Sequence, residues 1–139
     1  MPNKVATDKA AERAKKNLGA LIARCRGPLS QSQLAKRIGL PRSNMKYIED
    51  GINAPTAEVY EKLIKELNPD WQTWHRMDRL YMAIRKVPPP DICKIITQNE
   101  DLIDAMRKLK GYNLTSNQVK SISALFVSFQ ENSEGEPLK

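Results

Sequence analysis

Four side chains between positions 42 and 47 have the chemistry needed to contact the base edges of a nucleic acid. They are Arg42, Ser43, Lys46 and Tyr47, which share one side of a helix if this segment is helical. An arginine can bond the O6 and N7 of a guanine together, which is worth ~1–3 kcal/mol of discrimination between bases. Ser43 and Lys46 are less specific donors. Tyr47 suits a thymine methyl group or a phosphate, or equally a ring at the edge of the protein core.

Residues that would support an enzyme or a metal site are sparse. The single histidine, His75, has no nucleophile or carboxylate near it in a catalytic spacing, and no glycine-rich phosphate loop is present. Cys25 and Cys93 are far apart and form no CxxC motif. We therefore expect no enzymatic activity, no metal and no cofactor. The absence of a long apolar run predicts a cytoplasmic protein without a membrane span.

The positive charge is concentrated in the first part of the chain. Up to Pro55 there are eleven Lys and Arg residues against four acidic ones, whereas the remainder has twelve of each. This asymmetry is typical of a polyanion-binding module followed by a neutral segment for self-association or partner binding. The surplus alone fits a merely solvated surface equally well.

The apolar spacing predicts an all-α protein with five helices before a proline-rich segment. Ser30 and Gln33 have the spacing of a capping box, Gly39 suits the turn after the second helix, and Pro41 begins the third. Leu34 and Ile38 of the second helix form a short apolar face. The five helices are expected at about 14–26, 30–38, 41–50, 56–67 and 69–86.

Composition divides the chain into five parts. A flexible basic arm is expected over 1–13, a helical domain over 14–86 and a proline-rich linker over 87–90. The segment 91–130 should contain two further helices, a sixth that ends near Gly111 and a seventh that is capped by Thr115 and Gln118. Residues 131–139 are polar and are predicted to form a disordered tail.

The segment from Leu29 to Pro55 resembles the Cro/C1 (Xre) family of helix-turn-helix transcriptional regulators. The matching residues are Ser30-Gln31, Leu34-Ala35, Gly39, Ile48-Glu49, Gly51 and Pro55. The similarity covers about Lys16 to Leu67 and implies a five-helix, lambda-repressor-like DNA-binding domain, here followed by a two-helix segment. Its third helix would enter the major groove. The chain departs from the family at Leu40-Pro41, where a Ser or Thr cap is more usual.

The resemblance also implies roles for individual residues. Gln31 and Ser30, at the start of the second helix, would hold a DNA phosphate with the help of the helix amides. Arg24 of the first helix would form a structural ion pair with Glu49. Further candidates for phosphate contacts are Asn44, Asn53, Lys15 and Lys16, although solvation explains the two lysines better.

Operators read by helix-turn-helix proteins are usually two-fold, so a homodimer on an inverted repeat is expected. Ile122, Phe126 and Phe129 of the seventh helix are the candidate dimer contacts, unless the last two helices fold back onto the fifth. The leading hypothesis is a sequence-specific repressor of double-stranded DNA, of phage or mobile-element type, located with the bacterial nucleoid. One alternative is an antitoxin whose last helices bind a toxin, and another is a protein-interaction adaptor that binds no DNA.

Overall fold

The computed structural model describes residues 2–132 and, within them, the side chains of residues 9–131. Over that range the chain is entirely helical, without a strand. None of the described helices is both long enough and apolar enough to cross a membrane. The elements are α1 (Pro2–Arg26), α2 (Gln31–Ile38), α3 (Arg42–Glu49), α4 (Ala57–Leu67), α5 (Trp71–Arg85), α6 (Pro90–Thr97), α7 (Glu100–Arg107) and α8 (Ser116–Asn132).

The first helix is longer than the sequence pattern predicts. In place of a flexible arm over 1–13, helix begins at Pro2 and runs through to Arg26. A proline is compatible with the first helical position, and the residues that follow are rich in alanine, lysine and glutamate, which favour helix. Met1 and the side chains of residues 2–8 lie outside the described part of the chain. The apolar periodicity therefore predicted the part of α1 that packs against the core, but it did not predict where the helix begins.

Helices α1 to α5 surround one apolar core. Leu34, Ile38, Met45 and Ile48, which the periodicity of α2 and α3 predicts as inward residues, are all buried. Below them the rings of Tyr60 and Tyr81 stack with their centroids 4.4 Å apart. Because α2 and α3 have only eight residues each, they depend on this packing and would not be stable alone.

The two tryptophans of α5 differ in how far they are buried. Trp74 is half-buried, but Trp71 is 75% exposed. The two rings meet edge to face with their centroids 6.0 Å apart. Trp71 lies at the first position of α5, where the helix has only begun to pack against its neighbours.

The predicted sixth helix is two helices, and the first of them belongs to the N-terminal unit. Helix α6 packs on α4, where the Lys94 ammonium lies 2.6 Å from the Glu61 carboxylate. Pro89 and Pro90 are buried, so the proline segment packs rather than acting as a free linker. The first compact unit consequently ends at Gln98, not at the boundary of 87–90 that the prolines suggest.

The second unit begins at Asn99 and contains α7 and α8. The predicted capping box at its last helix is present: the Thr115 amide donates to Gln118 Oε1 at 2.9 Å, and the Gln118 amide donates to Thr115 Oγ1 at 3.2 Å. Helix α8 extends to Asn132, into the predicted tail, and positions 133–139 of that tail lie outside the described residues. None of the side chains described between 99 and 131 is buried.

Candidate nucleic-acid interface

The turn between α2 and α3 is held by local hydrogen bonds that the sequence encodes. Ser30 Oγ accepts from the Gln33 amide at 3.0 Å, and Gln33 Oε1 accepts from the Ser30 amide at 2.8 Å. Gly39 closes α2 with a φ of 71°, a left-handed conformation that glycine adopts without strain. The Leu40 amide then donates to the Ala35 carbonyl at 2.8 Å. These contacts fix the direction in which α3 leaves the turn.

Helix α3 has a buried side and an outward side. Met45 and Ile48 are completely or almost completely buried, whereas Arg42, Ser43, Lys46 and Tyr47 are exposed. Tyr47 is 44% exposed, which places its ring on the surface rather than inside the core. The four predicted base-contacting residues thus share the solvent side of one helix. Pro41 precedes this helix and supplies no side-chain cap, so the first amides of α3 are left without that partner.

Two cations on this surface differ in their surroundings. Within the described part of the chain, the Arg42 guanidinium makes no hydrogen bond or ion pair. The Lys46 ammonium is 2.7 Å from Asp50 Oδ2, and this bond raises the pKa of the lysine. Lys46 must therefore share its ammonium with Asp50 when it meets an acceptor on another molecule, while Arg42 is not engaged. Asp50 is a part of the site that sequence reasoning did not identify.

Glu49, at the end of α3, is paired with Arg26 and not with Arg24. Arg26 Nε and Nη2 each donate to a different oxygen of the Glu49 carboxylate at 3.0 Å, and the Glu49 side chain is only 4% exposed. The prediction of an Arg24–Glu49 pair is wrong. Arg24 and Arg26 are two positions apart on α1, so their side chains point in directions that differ by about 200°, and only one of them can face Glu49. Arg26 faces α3, and Arg24 lies on an exposed side of α1.

Gln31 also belongs to the Glu49 cluster. Its Nε2 donates to Glu49 Oε1 at 3.0 Å, and the residue is half-buried. Gln31, a predicted phosphate contact, thereby uses one hydrogen of its side-chain amide inside the protein. Its second amide hydrogen can still donate to a phosphate. Ser30, the other candidate at this end of α2, uses its hydroxyl oxygen as the helix cap. The contact from α2 would consequently depend on backbone amides and on the second Gln31 hydrogen.

Three of the remaining phosphate candidates line a single cavity. Lys15 of α1, Asn44 of α3 and Asn53 of the following loop border the same space of about 560 Å³. The loop is fixed by Arg85 of α5, whose Nε and Nη2 donate to the Pro55 carbonyl at 3.1 and 3.0 Å, and whose Nη2 also donates to the Ala54 carbonyl at 3.0 Å. Sequence reasoning missed Arg85, which carries no local signal for this role.

A glycine inside α1 allows a close approach to the end of α3. A β-carbon added to Gly19 would lie 2.4 Å from the Ile48 carbonyl oxygen and 2.5 Å from that of Glu49. Gly51, with a φ of 77°, similarly packs against the backbone and stem of Lys16. Lys16 is therefore tied to the end of α3 by its stem, and only its ammonium is free to act as a charge. A glycine within an otherwise helical pattern was the available signal for Gly19.

Comparison with known proteins agrees with this geometry. Residues 22–71 match a protein-family model described as helix-turn-helix, a range that contains α2, the turn and α3. No curated protein and no solved structure matches the chain. Residues 22–71 thus form a helix-turn-helix DNA-binding domain of the Cro/C1 type.

Proposed function

We propose that the protein is a transcriptional regulator that binds a specific sequence of double-stranded DNA as a homodimer, and that it acts as a repressor. The observation that carries this proposal is the outward side of α3, where Arg42 has no partner among the described residues and stands beside Ser43, Lys46 and Tyr47. A regulator of this kind would work at the bacterial nucleoid. The coarser statement, a DNA-binding helix-turn-helix, follows from the family match.

Arg42 is the residue we assign to sequence discrimination. It is the first residue of α3, and base contacts in helix-turn-helix complexes come mainly from the start of the recognition helix. Its planar guanidinium suits the O6 and N7 of guanine. Lys46 would exchange part of its bond with Asp50 for a base or a phosphate, and Ser43 and Tyr47 would add short-range contacts. This assignment makes a guanine the base whose identity matters most.

The phosphate contacts are assigned to both sides of α3. Lys15, Asn44 and Asn53 form one group around their shared cavity, and the amides at the start of α2 with Gln31 form the other. Contacts of this type hold the protein in register on the duplex without reading its sequence. The positive surplus of the first 55 residues would add attraction that weakens as salt is increased.

Dimerisation is assigned to α8. Ile122, Phe126 and Phe129 are 38%, 54% and 56% exposed, and with Val119 they repeat at steps of three, four and three residues. That spacing is the seam of a two-helix coiled coil. Exposed aromatic rings in a row of this length are unusual on a monomer and mark a surface for association. A second copy of α8 offers the same apolar seam in return.

The test is selection from a random duplex pool with the purified full-length protein at near-physiological salt, together with the variants Arg42→Ala and Phe126→Ser. The expected product is an inverted repeat with half-sites about one helical turn apart. Arg42→Ala should lose the preference at one base pair of each half-site, and Phe126→Ser should lose the two-fold spacing while it keeps a weak half-site. Salt-sensitive binding without any enriched sequence would contradict the proposal.

The exposed apolar surface of α8 is also compatible with the alternative that this protein is an antitoxin, because a toxin with a complementary apolar surface would cover the same side chains. Sedimentation equilibrium of the purified protein separates the two possibilities. A dimer that Phe126→Ser dissociates supports the repressor. A monomer that binds DNA and gains an ordered α8 only with a second chain supports the antitoxin. If the adaptor hypothesis is correct, Arg42→Ala will leave all measurable activity intact.

A further inference from the structure

A second positively charged site lies between α1 and α5. It is a cavity of about 550 Å³, lined by Asn17 and Arg24 of α1 and by Arg76 and Arg79 of α5, with Leu21 and Leu80 as its apolar wall. The three guanidiniums make no ion pair within the described part of the chain. No acidic side chain lines the cavity among those that the structure describes. Three exposed arginines therefore line one space without a neutralising group among the described residues.

This cavity does not belong to the surface of α3. On α1, the residues that touch the end of α3 are Lys16, Gly19 and Arg26. With about 100° of rotation per residue, Arg24 lies roughly 140° around the helix from Gly19. Arg76 and Arg79 come from α5, which contributes no residue to the outward side of α3. A duplex seated on α3 would accordingly meet a different side of the domain.

The chemistry of the cavity defines what would bind there. Each guanidinium presents a planar fork of N–H donors that matches phosphate oxygens, and the Asn17 amide adds one further donor group. The volume falls within the ~300–1,000 Å³ of small-molecule sites and exceeds what a single phosphate ion needs. The half-buried Leu80 offers apolar surface for the uncharged part of a ligand, beside the small exposed edge of Leu21, which is only 7% exposed.

We propose that the α1–α5 cavity binds a free phosphorylated molecule of nucleotide size, with its phosphates on Arg24, Arg76 and Arg79 and its ring against Leu21 and Leu80. A triphosphate carries enough negative charge to neutralise the three guanidiniums, and a ring on the leucines gives the site a preference over inorganic phosphate. The protein would then carry an effector site besides its DNA-binding surface. The proposed DNA contacts include none of these residues, and Arg76 and Arg79 lie outside the family match over 22–71.

The experiment is isothermal titration of the full-length protein without DNA, using adenosine triphosphate as the probe at a constant ionic strength of about 150 mM. The comparison probes are adenosine and inorganic phosphate. The variants are Arg76→Ala and Arg79→Ala, both at exposed positions, and the matched control is Arg42→Ala on α3. Circular dichroism checks that each variant keeps its helix content.

One triphosphate per chain should bind, more tightly than either comparison probe. Each cavity variant should weaken that binding at least tenfold, which is ~1.4 kcal/mol, whereas Arg42→Ala should change it by less than about twofold. The proposal is overturned if the triphosphate does not bind saturably, or if Arg42→Ala weakens it as much as the cavity variants do. In a parallel titration with duplex DNA, the proposal is also overturned if Arg76→Ala and Arg79→Ala weaken duplex binding and leave triphosphate binding unchanged, because the arginines would then contact the DNA backbone.

Discussion

The ion pair between Arg26 and Glu49 should behave asymmetrically when its two partners are removed one at a time. Glu49 is 4% exposed and accepts three hydrogen bonds, two from Arg26 and one from Gln31. Arg26→Ala leaves this carboxylate buried with one donor. Removing one partner of a buried pair typically costs ~3–5 kcal/mol, and we expect about 3–4 kcal/mol here because the arginine is itself partly exposed.

The opposite change should be milder. Arg26 is 21% exposed, and its Nη1 keeps a hydrogen bond of 2.7 Å to the Leu29 carbonyl, so its charge can reach water when Glu49 is absent. Glu49→Ala should cost about 1–2 kcal/mol. In the double variant no charge is left buried. Its cost should therefore fall short of the sum of the single changes by at least about 1.5 kcal/mol.

Urea unfolding followed by tryptophan fluorescence measures these differences. Both tryptophans of the chain, Trp71 and Trp74, lie on α5, so the signal reports the first compact unit. Arg24→Ala is the control, since this exposed arginine has no partner among the described residues and should change the free energy of unfolding by less than ~0.5 kcal/mol. Additive single variants, or an Arg24→Ala cost equal to that of Arg26→Ala, would refute the reasoning.

Three other predictions concern stability and use the same urea assay. Gly19→Ala should destabilise by at least about 2 kcal/mol because its β-carbon would meet the Ile48 carbonyl, although Ala20→Gly nearby should cost only ~1 kcal/mol; similar costs at both positions would contradict this. Ser30→Ala removes the cap of α2 and should cost ~1 kcal/mol, with Ser30→Asp restoring most of it. Burial and the bond to a neighbouring carboxylate raise the pKa of Tyr60 above its ordinary 10.0, so the unfolded chain ionises first and stability falls as the pH rises above 10. The stability advantage over Tyr60→Phe should shrink by ~1.4 kcal/mol between pH 9 and 11, and an unchanged difference would show that the phenol ionises freely in the folded protein.

Much of the local structure around the helix-turn-helix could be predicted because it depends on neighbouring residues. The Ser30 and Thr115 capping boxes and the turn at Gly39 are short-range patterns, and all three are present. The inward residues of α2 and α3 followed from a period of 3.6 residues. The beginning of α1 was not predicted, because no apolar residues repeat at helical spacing there. The interruption between α6 and α7 was not predicted either, because it depends on Asn99, a weak helix former within a continuing apolar pattern.

The partner of Glu49 could not be predicted because it depends on how α1 is rotated relative to α3. Arg24 and Arg26 have the same chemistry and are two residues apart, so sequence similarity to a family cannot choose between them without that rotation. Gly19 sets it: the carbonyls of Ile48 and Glu49 approach α1 at the one position that lacks a β-carbon. Gly19, which has no side chain, thereby decides that Arg26 is partly buried and that Arg24 is exposed to solvent.

The rotation of α1 also connects the two charged surfaces of the domain. With Gly19 against α3, Arg26 is committed to Glu49, and Arg24 is turned toward Arg76 and Arg79 of α5. Close-packed contacts such as the one at Gly19 leave little room for sliding, so we expect α1 and α3 to move together. An anion that drew Arg24, Arg76 and Arg79 closer would then shift α3 along with α1. By linkage, if DNA and the anion each favour one position of α3, the anion must bind with different affinity to the DNA-bound and the DNA-free protein.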